Sequence, residues 1–161
     1  MAIGKPLVGC SAFEALVALV EGWNGAVCPV LEARRSEVYA AFYRRQGATM
    51  HETTPGMVMT PEVLCTLIAE RTLFVGSGVR TYGALFATAL GARAVCLEGA
   101  PEGGLAASVA RVGHRRLCAS SPTTWPALKP LYIRAADARL PRHVMAAAGD
   151  SRSHDTLEPT E

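Results

Sequence analysis

The eight residues from Glu37 to Arg44 constrain the fold most, because their apolar side chains fall on both faces of an extended chain. Val38, Ala40 and Phe42 point one way and Tyr39, Ala41 and Tyr43 the other. A strand covered on both sides lies inside a sheet with layers above and below it. With the preceding run, Val27 to Ala33, it makes a pair of segments rich in Val, Tyr and Phe. Only the polar Arg34-Arg35-Ser36 separates the two, so together they read as a β-hairpin at the centre of the sheet.

Ser11-Ala12-Phe13-Glu14 has the capping-box form, and Phe13, Leu16, Val17 and Val20 follow at helical spacing, which predicts a helix from Ala12 to about Glu21. After the hairpin, Gln46-Gly47 turns the chain toward a weaker extended stretch, Ala48 to Thr53, which Pro55-Gly56 is expected to end. Thr60-Pro61-Glu62 opens another helix, with Val63, Leu64, Leu67 and Ile68 as its apolar stripe. Thr72 to Val75 is a short strand, Gly76-Ser77-Gly78 a turn, and Tyr82, Leu85, Phe86, Ala89 and Leu90 repeat with helical period. A strand from Ala94 to Leu97 and a helix through Leu105, Val109 and Val112 follow, with Leu131 to Arg134 as a last extended piece. The expected class is α/β: a mixed sheet with a leading antiparallel meander and helices on both faces. Residues 1–145 form the expected domain. Residues 146–161, with four carboxylates against one arginine, bury too little to order themselves.

Composition narrows the function. Sixteen Lys and Arg against fourteen Asp and Glu leave a net charge of +2, too small to select a nucleic acid or an acidic membrane by charge alone. Glu14 and Glu21 bracket the best apolar run, far below the roughly 18 residues of a bilayer span, so no membrane association is expected. Leu7-Val8-Gly9-Cys10 imitates a lipoprotein cleavage site, but the six residues before it cannot hold a signal region. Five widely spaced cysteines, none in a C-x-x-C pair, read as reduced, buried thiols in a cytosol. Four histidines without H-x-x-x-H spacing give no metal site, and no metal or cofactor is expected.

Two segments could carry chemistry. Gly76, Ser77 and Gly78 stand where a strand meets a helix and could let backbone amides approach a phosphate, although such glycines more often only turn the chain. Glu32, Arg34, Arg35 and Glu37 crowd the hairpin tip, where two guanidinium groups could grip an anion or simply remain solvated. The basic set Arg111, His114, Arg115 and Arg116 lacks interleaved aromatics and sits at a helix end, where cations are favoured anyway. No nucleophile has a recognisable signature, so no catalytic residue is assigned.

The strings Gly4-Lys5-Pro6-Leu7-Val8-Gly9-Cys10-Ser11-Ala12-Phe13-Glu14-Ala15-Leu16 and Cys28-Pro29-Val30-Leu31-Glu32-Ala33-Arg34-Arg35-Ser36-Glu37-Val38-Tyr39-Ala40-Ala41-Phe42-Tyr43 resemble the TsaB family, also called YeaZ. Leu73 to Gly78 and Pro130-Leu131-Tyr132-Ile133-Arg134 resemble its later glycine turn and closing segment, in the family's order. The resemblance implies one lobe of an actin-like ATPase (ASKHA) fold. It also implies a non-catalytic subunit of the cytoplasmic complex that makes threonylcarbamoyladenosine beside the tRNA anticodon. There the partners are a TsaD-like transferase and a TsaE-like ATPase, and tRNA is met only through the complex. Older labels call the family M22 glycoproteases, yet no metallopeptidase chemistry is expected here. A small actin-fold nucleotide binder and a generic interaction module are the alternatives.

Three departures from the family pattern stand out. Asp-Ala-Arg becomes Glu32-Ala33-Arg34, the glycine before Glu-Val-Tyr becomes Ser36, and the N-terminal lobe with its G-P-G-S-F-T-G-L-R motif is missing. Met1 to Gly4 reads as the end of an interrupted helix. Partner contact is therefore expected at the tip, through Glu32, Arg34, Arg35, Glu37 and Tyr39. An uncovered apolar face, and with it self-association, is expected at Leu7, Val8, Leu16 and Leu19.

Overall fold

The structure, a computed structural model, describes residues 7–99, 104–119 and 128–134. The expected terminal tail and Met1 to Pro6 lie outside the described residues. Helix α1, Ala12–Ala18, begins where predicted: Ser11 Oγ accepts from the Glu14 N–H, and the Glu14 carboxylate accepts from the Ser11 N–H. Strands β1 (Ala26–Glu32), β2 (Val38–Gln46) and β3 (Thr49–Met59) form the meander, followed by α2 (Pro61–Thr66) and β4 (Thr72–Val75). Helix α3 (Ser77–Leu90), a 3₁₀ turn (Gly91–Arg93), β5 (Ala94–Cys96) and α4 (Gly104–Ala119) complete the order.

The five strands run β3-β2-β1-β4-β5. The β1–β2 and β2–β3 pairs are antiparallel, and β1–β4 and β4–β5 are parallel. Tracing β2 shows why both of its faces are apolar. Val38, Ala40 and Phe42 join Cys28, Val30, Phe74, Phe86 and Leu64 in the layer under α2 and α3. Ala41 and Tyr43 join Val27, Leu73, Phe13, Leu16 and Val17 in the layer under α1. The stacked rings of Phe74 and Phe86, 4.6 Å apart, anchor α3 to the sheet. The two-sided hairpin placement is thus as expected, except that Phe42 is only partly buried at the margin of its layer.

Four expectations are corrected. Pro55-Gly56 does not end a strand: β3 runs through it to Met59. β3 is an edge strand, so a proline lacking N–H breaks no ladder there, and Gly56 sits closely under Phe13 and Ile133. The α2 stripe is split, with Leu64 and Ile68 buried and Val63 and Leu67 about half exposed, because so short a helix turns only one side inward. Leu131 to Arg134 forms no strand: Ile133 packs on Gly56 while Leu131 and Tyr132 face solvent. Among the thiols Cys28 is buried but Cys118, near the end of α4, is exposed; all five are free.

Candidate functional site

The glycine turn and the hairpin tip, far apart in sequence, meet at the carboxyl edge of the parallel strands. Gly76 has φ 118°, and a Cβ built on it would lie 2.4 Å from the Val30 carbonyl oxygen. One on Gly78 would lie 2.6 Å from Val30 Cγ1. These glycines let α3 begin against the backbone of β1, which is the chain-turning role rather than an open phosphate cradle. Ser77 Oγ is also engaged, accepting from the Glu32 N–H at 3.2 Å, and Thr81 Oγ1 donates to the Glu32 carboxylate. Glu32, Ser77 and Thr81 therefore form a joint between β1 and α3.

The tip itself is unusual. Arg35 and Ser36 take φ of 64° and 57°, two successive non-glycine residues in the left-handed region, and the Ala33 N–H donates to the Glu37 carbonyl across the turn at 2.8 Å. A glycine would be at ease where Ser36 stands. Glu37 is paired with Arg134, both half-buried, so the closing Pro130 to Arg134 segment is tied to the tip. Arg34 projects into solvent, while Tyr39 is partly buried and lines a hollow with Leu31, Leu131 and Ile133. The pairing of Glu37 with Arg134, ninety-seven positions away, has no local sequence signal.

The three arginines of the α4 basic set reach α1 and its flanks, while His114 is exposed beside Cys118. Arg111 donates to the Ala18 carbonyl at 2.9 Å, at the open end of α1, Arg115 pairs with Glu21, and Arg116 pairs with Glu14 and donates to the Gly9 carbonyl. That clamp corrects the expected open face. α4 covers part of α1, Leu16 is buried at 7% exposure, and Leu19 and Val8 are partly buried; of the four residues only Leu7 is exposed.

Among the described residues a cavity of about 590 Å³ lies at the carboxyl edge, lined by Leu16, Leu19, Leu31, Val75, Leu97 and Leu105 together with Ser77, Arg80 and Glu98. Residues after parallel strands commonly line ligand sites in α/β folds, and the sequence reading missed Arg80 and Glu98 because neither belongs to a motif.

Burial raises the thiol pKa of Cys28 far above its ordinary value. Burial first, then Glu14, raises Cys10 against the opposing pull of Arg116 and Arg115. Burial with Glu62 raises Cys65, and burial with Glu98 raises Cys96. Tyr43 is raised by burial, then by Glu52 and Glu14. These groups stay protonated at neutral pH and are poor nucleophiles there. Among the described residues no three His, Cys, Asp or Glu side chains gather as metal ligands, and no helix is long and apolar enough to cross a membrane.

No protein-family model matches the chain, and no curated protein matches it. Among solved structures it is similar to an uncharacterized protein with similarity to peptidase YeaZ from Pseudomonas aeruginosa. That likeness has 20% identity and a TM-score of 0.59, and covers 81% of this chain and 60% of the other. YeaZ from Pseudomonas aeruginosa aligns at 23% identity over 50% of this chain and 38% of the other, with a TM-score of 0.42. The chain spans about 60% of the first neighbour's length. At this identity the likeness shows the fold alone: the described residues form a partial YeaZ-like α/β fold.

Proposed function

We propose that the chain is a non-catalytic accessory subunit of the cytoplasmic machinery that makes threonylcarbamoyladenosine in tRNA, supporting a TsaD-like transferase beside a TsaE-like ATPase. The observation that carries this reading is the YeaZ-like fold over 81% of the chain, joined to the ordered motifs from Gly4 to Arg134. Part of the geometry supports it, since Ser77 and Thr81 are engaged on Glu32 and Glu37 on Arg134, which leaves exposed Arg34 as a tip group available to a partner. The peptidase label belongs to the neighbour's name, and the raised thiols here suit no peptidase nucleophile.

Calorimetric titration with the TsaD-like protein of the same genome tests the reading. Saturable binding supports it, and its absence at near-millimolar concentrations refutes it. A nucleotide-binding reading is favoured by one observation, the cavity at the carboxyl edge, lined in part by Arg80 and Ser77. Micromolar binding of ATP and magnesium, weakened by Arg80→Gln, would replace the scaffold reading. Arg80 suits this test better than Gly78, whose substitution disturbs Val30 in any case.

A further inference from the structure

The polar chemistry of α4 is not exhausted by its hold on α1. His114 and Cys118 stand four residues apart on this helix and so share one face, one turn apart. Both are exposed, and Cys118 Sγ lies 3.8 Å from His114 Nε2 and 4.0 Å from Nδ1. Arg111, Arg115 and Arg116 carry their charges to the Ala18 carbonyl, Glu21 and Glu14, which holds those three heads on α1. Among the described residues the thiol and the imidazole have no hydrogen-bonding partner but each other.

An imidazole nitrogen and a thiolate are donors that suit a borderline-soft divalent cation. Zinc binds sulfur at about 2.3 Å and imidazole nitrogen at about 2.0 to 2.1 Å, and at a tetrahedral angle those two bonds hold the donors about 3.6 Å apart. The separation of 3.8 Å is within about 0.2 Å of that bite, so chelation needs little movement of either side chain. The site also lies in the last turns of α4, where the negative end of the helix dipole favours a cation. H-x-x-x-C places one histidine and one cysteine as H-x-x-x-H places two histidines, and a search for paired histidines passes over it. We propose that His114 and Cys118 form a two-donor site for zinc or a zinc-like divalent cation. On binding, the ring nitrogen and the sulfur replace two metal-bound waters, the thiol proton passes to solvent, and the remaining positions stay with water. Two donors fall short of the three or four of catalytic and structural zinc sites, so the ion exchanges with solution.

A hydrogen bond from thiol to imidazole would hold the same two atoms, so metal affinity decides. Cobalt(II), a visible substitute for zinc, is titrated into the reduced full chain, with far-UV circular dichroism confirming that each variant is folded. A thiolate-to-cobalt charge-transfer band should saturate at one ion per chain and disappear when zinc is added. Cys118→Ser should abolish the band. His114→Gln should weaken binding about tenfold or more, since even an outer-shell group commonly contributes that much. Zinc should also slow alkylation of Cys118, read by peptide mapping, and His114→Gln should lose that protection. The proposal is overturned if no band forms up to millimolar cobalt, if Cys118→Ser retains it, or if His114→Gln binds cobalt as tightly as the wild type. These readouts need neither tRNA nor a TsaD-like protein and are independent of the accessory-subunit reading.

Discussion

Adding one methyl group at each of two neighbouring glycines separates a structural turn from a ligand cradle. A helical glycine replaced by alanine gains at most about 1 kcal/mol from helix propensity, and Gly78 is the second residue of α3. At Gly78 the new Cβ would stand 2.6 Å from Val30 Cγ1 and 3.2 Å from the Val30 oxygen. Overpacking of that kind costs about 1 to 3 kcal/mol, so against the propensity gain Gly78→Ala should destabilise by up to about 2 kcal/mol. Since the offending atom is a side-chain carbon, the penalty should largely vanish when Val30 is also alanine. Gly76→Ala differs. Its φ of 118° is close to glycine-only, and the atom 2.4 Å away is a backbone oxygen that cannot rotate aside. A loss of about 3 kcal/mol or more is expected from backbone strain and clash together, unrelieved by Val30→Ala. Urea unfolding of the four Gly78 and Val30 combinations, followed by circular dichroism, measures the coupling. If Gly78→Ala costs the same in both backgrounds, or Gly76→Ala leaves the midpoint unchanged, the packing account of the turn is wrong.

Ser36→Gly should raise stability by about 1 kcal/mol, because the residue already sits at φ 57°, and urea midpoints will read it. Phe74→Ala should cost about 3 to 5 kcal/mol in the same assay; Phe42→Ala, at a half-open position, should cost about half as much. Stability should decline above about pH 9. The buried Cys28 thiol, with an ordinary value of 9.0, keeps its proton in the folded state after the unfolded chain has lost it, so its contribution is full below 9 and fades as pH rises further. Cys28→Ala should flatten that decline in midpoint against pH. At pH 8 a thiol reagent should modify exposed Cys118 first and Cys28 only on unfolding, as peptide mapping will show.

The elements with strong periodicity were legible from sequence, and the reasons are local. Val38 to Tyr43 is an unbroken apolar run on both faces, Ser11 and Glu14 close their own capping box, and Thr72 to Val75 is bounded by its own turn. Pro55-Gly56 misled because proline signals a break except at a sheet edge, and edge position is a property of the whole sheet. The apolar sets on α2 and α4 overstate burial for a similar reason: periodicity gives a face, while the neighbour that covers it is chosen by tertiary packing. The site was less legible still. The joint of Glu32 with Ser77 and Thr81 spans 45 and 49 positions, and the pairing of Arg116 with Glu14 spans 102. The motif residues lie beside the cavity, but Arg80 and Glu98, which line it, carry no motif.

Reconstitution on tRNA tests the central claim most directly. A transcript reading codons that begin with A, the TsaD-like and TsaE-like proteins of the same genome, and an enzymatic source of threonylcarbamoyl-adenylate are combined with or without this chain. Threonylcarbamoyladenosine is then quantified by mass spectrometry of the digested nucleosides. An accessory subunit predicts product only when the chain is present, with the TsaD-like protein essential and the chain alone inert. Equal product in its absence would contradict the account.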